Sequence, residues 1–135
     1  MRNALIQADV VHPCDVLHPR FTSINRGRIF LTGGTGFFGK WMLHTFLGLR
    51  DVCGTDLSLT VLSRDPRQFL DNHPEFTGQR GLAFVPGDVR TFGFRDLTSF
   101  DVVLHGATSA SAKLEKENPD EMYSVITEGT RHVLD

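Results

Sequence analysis

The stretch LTGGTGFFGKW, residues 31–41, decides the fold because its closely spaced glycines join an apolar run to an amphipathic segment. The run that leads into it, RIFLT (28–32), is short and apolar, which predicts a buried strand. Bulky side chains then recur at helical spacing and predict a helix over 37–50 that packs on a sheet: Phe38, Trp41, Met42, Thr45, Phe46 and Leu49. A strand, a glycine turn and a helix in this order form the first half of a βαβ unit.

The rest of the chain repeats this alternation of strands and helices. Asp65 and Pro66 predict the start of a short helix, with the aspartate as its cap. The sequence NPDE at 118–121 predicts a capping box that starts the final helix. Short apolar or alternating runs predict three further strands, at 57–63, 82–88 and 101–107. This order of elements indicates an α/β fold with a parallel sheet and right-handed crossovers.

Length and composition exclude several classes of function. The 135 residues suit one domain, and a net charge of −2 offers no basic field for nucleic acid. No apolar run approaches the ~20 residues that span a bilayer, and the N-terminus does not resemble a secretory signal, so we expect a cytoplasmic protein with no membrane partner. Cys14 and Cys53 are expected to be free thiols. His12, Cys14, Asp15 and His18 lack the spacing of a metal site, so no metal is predicted.

The glycine stretch holds two overlapping phosphate-binding patterns. One is the G-x-x-x-x-G-K pattern of NTP-binding loops, but it needs Ser or Thr after Lys40 to ligate magnesium, and Trp41 stands there. The other is the dinucleotide-binding turn, whose glycines follow a predicted strand and open a predicted helix. There Gly33 permits the tight turn, Gly36 lets a pyrophosphate approach the backbone, and Gly39 lets helix and strand pack closely. A glycine turn without a ligand is the remaining alternative.

Four stretches, taken in order, resemble one known family. TGGTGFFG (32–39) resembles the T-G-x-x-G-x-x-G turn of the extended short-chain dehydrogenases/reductases, the NAD-dependent epimerase/dehydratase group. GDV (87–89) is similar to the family's G-D-[VIL], whose aspartate meets the adenine, and LHGAT (104–108) resembles its H-x-A-A, which lines the cofactor. EGTRHVL (128–134) resembles its N-V-x-G-T-x-x-V-L helix. The resemblance covers about 28–135 and implies a Rossmann-type doubly wound parallel sheet, truncated after the fourth strand and the helix that follows it.

The end of the second strand bears on the choice of cofactor. Ser63 stands where an acidic residue would hold the ribose 2′-hydroxyl of NAD, and Arg64 beside it suits a 2′-phosphate. NADP is therefore favoured over NAD, although Asp65 could still reach the ribose, or could serve only as a helix cap while Arg64 is solvated. Asp88 equally suits a turn. The predicted cofactor-binding residues are Thr32, Gly33, Gly36, Phe37, Phe38, Gly39, Ser63, Arg64, Asp88, Val89, Gly106, Ala107 and Thr108.

The resemblance also implies a function for a longer protein. It implies a nucleotide-sugar epimerase, dehydratase or reductase that works by transient hydride transfer at a sugar carbon, with a Tyr-x-x-x-Lys pair as catalyst. Tyr123 is followed four residues later by Thr127, so the catalytic pair is expected beyond Asp135 and this chain alone is expected to be inactive. Ile126 stands where the family helix has asparagine, which leaves open a non-catalytic NADP-sensing protein of the same fold.

Three further expectations complete the sequence-based picture. Residues 1–26 are predicted to form a leader or arm, and 27–135 an incomplete NAD(P)-binding domain. His105, at the end of an apolar strand, is expected to be a satisfied core or supporting histidine rather than a catalyst. We also expect self-association as a homodimer through the final helix, because related proteins often dimerise through it.

Overall fold

The computed structural model describes residue 16 and residues 26–94, 99–108 and 112–135, so nearly all of the predicted leader lies outside the described residues. All four predicted strands are present: Arg28–Thr32 (β1), Ser58–Ser63 (β2), Leu82–Pro86 (β3) and Val102–His105 (β4). Over residues 26–135, the described parts of the chain hold the α-helices Phe37–Cys53 (α1), Pro66–Asn72 (α2), Ala112–Glu117 (α3) and Pro119–Leu134 (α4). The short α3 lies outside the predicted elements, because AKLEKE carries no apolar periodicity. A short 3₁₀ helix, Pro74–Phe76, follows α2.

The four strands form one parallel sheet in the order β3-β2-β1-β4. The register places Thr32 of β1 beside Leu62 of β2 on one side and beside His105 of β4 on the other. The chain therefore builds outward from β1 to β3 and then returns to place β4 on the opposite side of β1. Ligands of open α/β sheets bind outside the carboxyl ends of the strands, at such a reversal of strand order.

Both faces of the sheet are covered by helices, as a doubly wound fold requires. Alternate strand residues point to opposite faces, so Leu31 and Val61 pack on one side with Leu43 and Phe46 of α1. Phe30 and Leu62 pack on the other side, in a cluster that contains Val125 of α4 and phenylalanines of the β3–β4 connection. The predicted doubly wound parallel sheet is confirmed.

The buried face of α1 agrees with the prediction at Phe46 and Leu49, which are buried, and differs from it nearer the start of the helix. There Phe38 is 79% exposed and Trp41 is 42% exposed, while Leu43, outside the predicted face, is buried. Gly39 explains the difference, because a Cβ at that position would collide with the carbonyl oxygens of Gly33 and Gly34. The first turn of α1 therefore presents Gly39 to the strand, and the aromatic side chains beside it point away.

The predicted helix caps are largely confirmed. Asp65 caps α2, since its Oδ1 accepts the N–H of Gln68 at 2.9 Å. Asn118 caps α4 by accepting the N–H of Glu121 at 3.2 Å. The Glu121 carboxylate, which would complete a capping box, instead pairs with Arg90.

Candidate functional site

A cleft of about 620 Å³ opens at the carboxyl ends of the strands. Its walls are the glycine turn with the start of α1, the end of β2, the segments that follow β3 and β4, and Val125 of α4. Every residue predicted as cofactor-binding lines this one cleft: Thr32, Gly33, Gly36, Phe37, Phe38, Gly39, Ser63, Arg64, Asp88, Val89, Gly106, Ala107 and Thr108. The structure thus brings together residues from four separate parts of the sequence.

Two glycines of the turn are required by the protein's own backbone. Gly33 has φ of +76°, in the left-handed region that favours glycine, and a Cβ there would lie 2.7 Å from the nitrogen of Ala107 and collide with Gly106. Gly39 seats the start of α1 on the turn, as its contacts with Gly33 and Gly34 show. The turn, the helix and the segment after β4 are therefore held close together.

Gly36 is different, because the chain gives no comparable reason for a glycine there. Its φ of −78° suits any residue, and the nearest atom to an added Cβ is the Gly33 oxygen at 3.3 Å. Gly36 is exposed and lines the cleft. Its missing side chain therefore leaves backbone accessible from the cleft.

The start of α1 presents backbone donors at the same place. The N–H of Gly36 bonds to the Gly33 oxygen at 3.1 Å, and the first intrahelical bond runs from the N–H of Lys40 to the Gly36 oxygen at 3.0 Å. Within the described parts of the chain, the N–H groups of residues 37–39 have no acceptor, and the first turn holds no acidic side chain. Free amides and the positive end of the helix dipole make this terminus suitable for an anion.

A hydrogen-bonded chain ties the ends of β1 and β4 together beneath the cleft. The hydroxyl oxygen of Thr32, fully buried, lies 2.7 Å from Nδ1 of His105 and accepts the N–H of Ala107 at 3.2 Å. The other ring nitrogen of His105 lies 3.1 Å from the Thr130 hydroxyl oxygen. The Thr130 hydroxyl donates to the carbonyl of Ile126 at 2.6 Å, so it accepts from Nε2 of His105.

The contacts of His105 fix the proton on one of its ring nitrogens. Nε2 donates to the Thr130 hydroxyl, so it carries a proton. Burial lowers the pKa of His105 below its ordinary value and so favours the neutral ring, in which Nδ1 accepts from the Thr32 hydroxyl. Both ring nitrogens have partners, as expected, but His105 is exposed, so the expectation of a core histidine is wrong and its role as a support is the one that these contacts fit.

The end of β2 places a positive charge at the cleft and no carboxylate. Ser63 is buried, and Arg64 is exposed and lines the cleft. The side chain of Asp65 caps α2, so of its two predicted roles, helix cap and ribose ligand, the structure supports the cap. The charge of Arg64 is also one of the influences that lower the pKa of Asp88.

Asp88 serves a turn and lines the cleft as well. Its carbonyl accepts the N–H groups of Thr91 at 3.0 Å and Phe92 at 2.8 Å, and its Oδ1 accepts the N–H of Arg90 at 2.9 Å. The prediction that Asp88 stabilises a turn is therefore confirmed. Because Asp88 also lines the cleft, its carboxylate is accessible to a ligand. Hydrogen bonds from the Arg90 side chain, above all, lower the pKa of Asp88 to about 2, so the carboxylate is ionised at neutral pH.

Sequence reasoning missed Arg90. Its guanidinium binds both Asp88 and Glu121, and so links the segment after β3 to the first turn of α4. The Asp-x-Arg spacing in a turn is a local signal for the first of these pairs. The second pair joins residues 31 positions apart, and no local pattern indicates it.

The residues considered for catalysis lie away from the cleft. Tyr123 is 69% exposed, and neither it nor Ile126 lines the cleft. Across the described ranges, no group of three His, Cys, Asp or Glu side chains could hold a metal ion. His12, Cys14, Asp15 and His18 lie outside those ranges. Among the helices that the structure describes, none is long and apolar enough to cross a membrane.

No family model matches this chain, and no curated protein matches it with significance.

Proposed function

We propose that this chain binds a nicotinamide dinucleotide, with NADP preferred, as the cofactor-binding part of an epimerase, dehydratase or reductase of nucleotide sugars. The observation that carries the proposal is the accessible backbone of Gly36 at the start of α1. It lies at the reversal of strand order, where dinucleotides bind in doubly wound sheets. The nucleotide-sugar part rests on the resemblance of the four sequence stretches alone.

The residues at the start of α1 fit a pyrophosphate. The amides of residues 37–39 supply donors, and the glycine at position 36 leaves room for phosphate oxygens to reach them. A side chain at Gly36 would stand in that space, and its only close neighbour among the described residues would be the Gly33 oxygen, 3.3 Å from the added Cβ. The backbone that the structure describes excludes a side chain at Gly33 and Gly39, whereas at position 36 it imposes only one tight contact, so folding alone accounts less well for the third glycine.

The two ends of the cleft fit the rest of the adenosine half. Asp88, an ionised carboxylate, can accept a hydrogen bond from the adenine amino group. Arg64 can pair with a 2′-phosphate, and Asp65 is committed to its helix cap. These features favour NADP over NAD. When bound, the cofactor supplies hydride transfer, and the residues of this chain bind and orient it.

A non-catalytic NADP sensor of the same fold is the second candidate. It is favoured by Ile126, at the position of the family's asparagine, and by Tyr123, which lies outside the cleft.

The exposed apolar side chains of α4 support self-association through that helix in either case; they are Tyr123, Ile126 and Leu134. Sedimentation over a range of concentrations tests this: a monomer at every concentration contradicts it.

Calorimetric titration of the chain with NADP, NAD and ATP in parallel tests the cofactor proposal. We expect NADP to bind most tightly, NAD more weakly, and ATP least well. Tightest binding of ATP would instead favour the NTP-loop pattern, in spite of Trp41. Absence of binding by all three would contradict the proposal for this chain.

A further inference from the structure

The guanidinium of Arg90 lies between two carboxylates that belong to different elements. Its Nε and one terminal nitrogen hold Asp88 in a fork, at 2.9 Å to Oδ1 and 2.8 Å to Oδ2. The same terminal nitrogen lies 3.1 Å from one oxygen of Glu121, and the other terminal nitrogen lies 3.1 Å from its second oxygen and 3.2 Å from the Ser124 hydroxyl. A planar guanidinium suits such paired contacts, since its donors are fixed in direction. The side chain of Arg90 is 23% exposed and that of Glu121 is 40% exposed, so this bridge is partly buried.

This bridge determines which acceptor of Asp88 is left for a ligand. The Oδ1 atom accepts two hydrogen bonds from Arg90, one from its main-chain N–H and one from its Nε. The Oδ2 atom accepts one, so it keeps an acceptor position of its own. Asp88 lines the cleft with its side chain 30% exposed, whereas Arg90 does not line it. Any influence of Arg90 on a ligand in the cleft therefore passes through Asp88.

The charge on Asp88 limits what it can recognise. Beside Arg90 its carboxylate stays ionised and can only accept hydrogen bonds. An amino group on a bound base can then donate a charge-assisted hydrogen bond to Asp88. A carbonyl oxygen at the same position has no proton to donate and is repelled by the negative charge of Asp88. A 6-aminopurine and a 6-oxopurine differ in this group and at the neighbouring N1, which is an acceptor in the first and carries a proton in the second, so an Asp88 held opposite position 6 distinguishes them.

We infer that Arg90 is a positioning residue for base selection: it anchors Asp88 to α4 through Glu121 and Ser124, and so makes the cleft prefer a 6-aminopurine over a 6-oxopurine. The inference rests on the proposed dinucleotide function. Glu121 and Ser124 of α4 thereby take part in recognition of the base, although neither of them lines the cleft.

The test compares NADP with its hypoxanthine analogue, in which a 6-oxo group replaces the 6-amino group. Calorimetric titration of the full chain should give a preference for NADP of about 10- to 100-fold, the usual effect of one hydrogen bond to a charged group. Arg90→Met should reduce this ratio to within about threefold, mainly by weakening NADP. Arg90→Lys keeps the charge without the fork and should give an intermediate ratio. Arg67→Met, an exposed arginine of α2 outside the cleft, should leave the ratio unchanged.

The outcomes separate this inference from the proposed function. If Arg90→Met weakens both ligands equally and keeps their ratio, Arg90 is only structural and the inference is overturned. Equal binding of both ligands by the wild-type chain also overturns it, while the dinucleotide site stands. Binding of neither overturns both proposals. Should Arg90→Met fail to fold, Glu121→Gln decides the matter, because it loosens the bridge while keeping Arg90: a narrowed ratio supports the inference and an unchanged ratio overturns it.

Discussion

The hydroxyl oxygen of Thr32, at the end of β1, lies 2.7 Å from Nδ1 of His105, at the end of β4. These two strands are neighbours at the point where the strand order reverses. The same oxygen accepts the N–H of Ala107. One buried hydroxyl therefore fixes the ends of both strands and the start of the segment that lines the cleft beyond β4.

Replacing Thr32 by valine tests the energetic weight of this hydroxyl. Thr32→Val keeps the shape of the side chain but leaves Nδ1 of His105 and the N–H of Ala107 without a partner. A buried polar group that loses its partner costs about 1–3 kcal/mol, and we expect the free energy of unfolding to fall by about that amount in chemical denaturation. Thr60→Val, on β2, is the control, since no side-chain hydrogen bond of Thr60 is seen among the described residues; its effect should stay below about 0.5 kcal/mol. Equal losses in the two variants would contradict the prediction.

Stability should fall as the pH drops from about 7.5 to 5.5. Burial lowers the pKa of His105, and burial is also the main cause of the lowered pKa of His44. The unfolded chain, with ordinary histidines of pKa near 6.5, then binds more protons than the folded chain in this range. The melting temperature should therefore decrease below about pH 6.5, and His105→Gln should make that decrease shallower. A melting temperature that rises on acidification would contradict this sign.

The Asp88 carboxyl should titrate near pH 2, observed through its side-chain carbon by NMR. The fork from Arg90 stabilises the charged form, so the group contributes stability above its unfolded pKa of 3.8 that is lost as the pH falls through about 2. Arg90→Met should return the midpoint toward 3.8. Glu121→Gln leaves the fork in place and should keep the midpoint low. A wild-type midpoint near 3.8 would show that the fork is absent in solution.

The order of strands and helices could be predicted from the sequence because its signals are local. Short apolar runs mark the strands, and Asp65 and Asn118 mark the starts of two helices. The glycine turn marks the junction between β1 and α1. The orientation of the first turns of α1 could not be predicted in this way. It depends on how Gly39 seats against the carbonyl oxygens of the turn, a tertiary contact that the spacing of Phe38 and Trp41 does not reveal.

The cleft residues could be predicted for a geometric reason. The carboxyl ends of parallel strands meet at one edge of a sheet, so the residues that follow each strand come together even though they are far apart in sequence. The Arg90–Glu121 pair could not be predicted from the sequence, because its formation depends on where α4 crosses the other face of the sheet. Periodicity locates the helix in the sequence and leaves its position over the sheet open.

Three glycine variants distinguish folding roles from a binding role. Gly36→Ala should lower the melting temperature much less than Gly33→Ala, because the position has ordinary dihedral angles and its added Cβ meets, among the described residues, only the Gly33 oxygen, at 3.3 Å. It should weaken NADP by about tenfold or more, because a methyl group enters the space for phosphate. Gly33→Ala should lower the melting temperature strongly, since its φ of +76° and the contact with Gly106 exclude a side chain. Gly93→Ala, with open space around it and a position outside the cleft, should change neither property. A Gly36→Ala variant that binds NADP normally would exclude the start of α1 as the phosphate site.

Arg64→Ala should separate the two dinucleotides. Arg64 is exposed at the cleft after β2, where a 2′-phosphate would lie, and Asp65 beside it is committed to the cap of α2. Loss of a charge-assisted bond to phosphate should weaken NADP by about 10- to 100-fold and leave NAD within about threefold, as measured by calorimetry. Arg67→Ala removes an equal charge from an exposed site outside the cleft and should affect neither cofactor. An equal loss for NADP and NAD would mean that Arg64 contacts a part that both share, and the preference for NADP would then need another source.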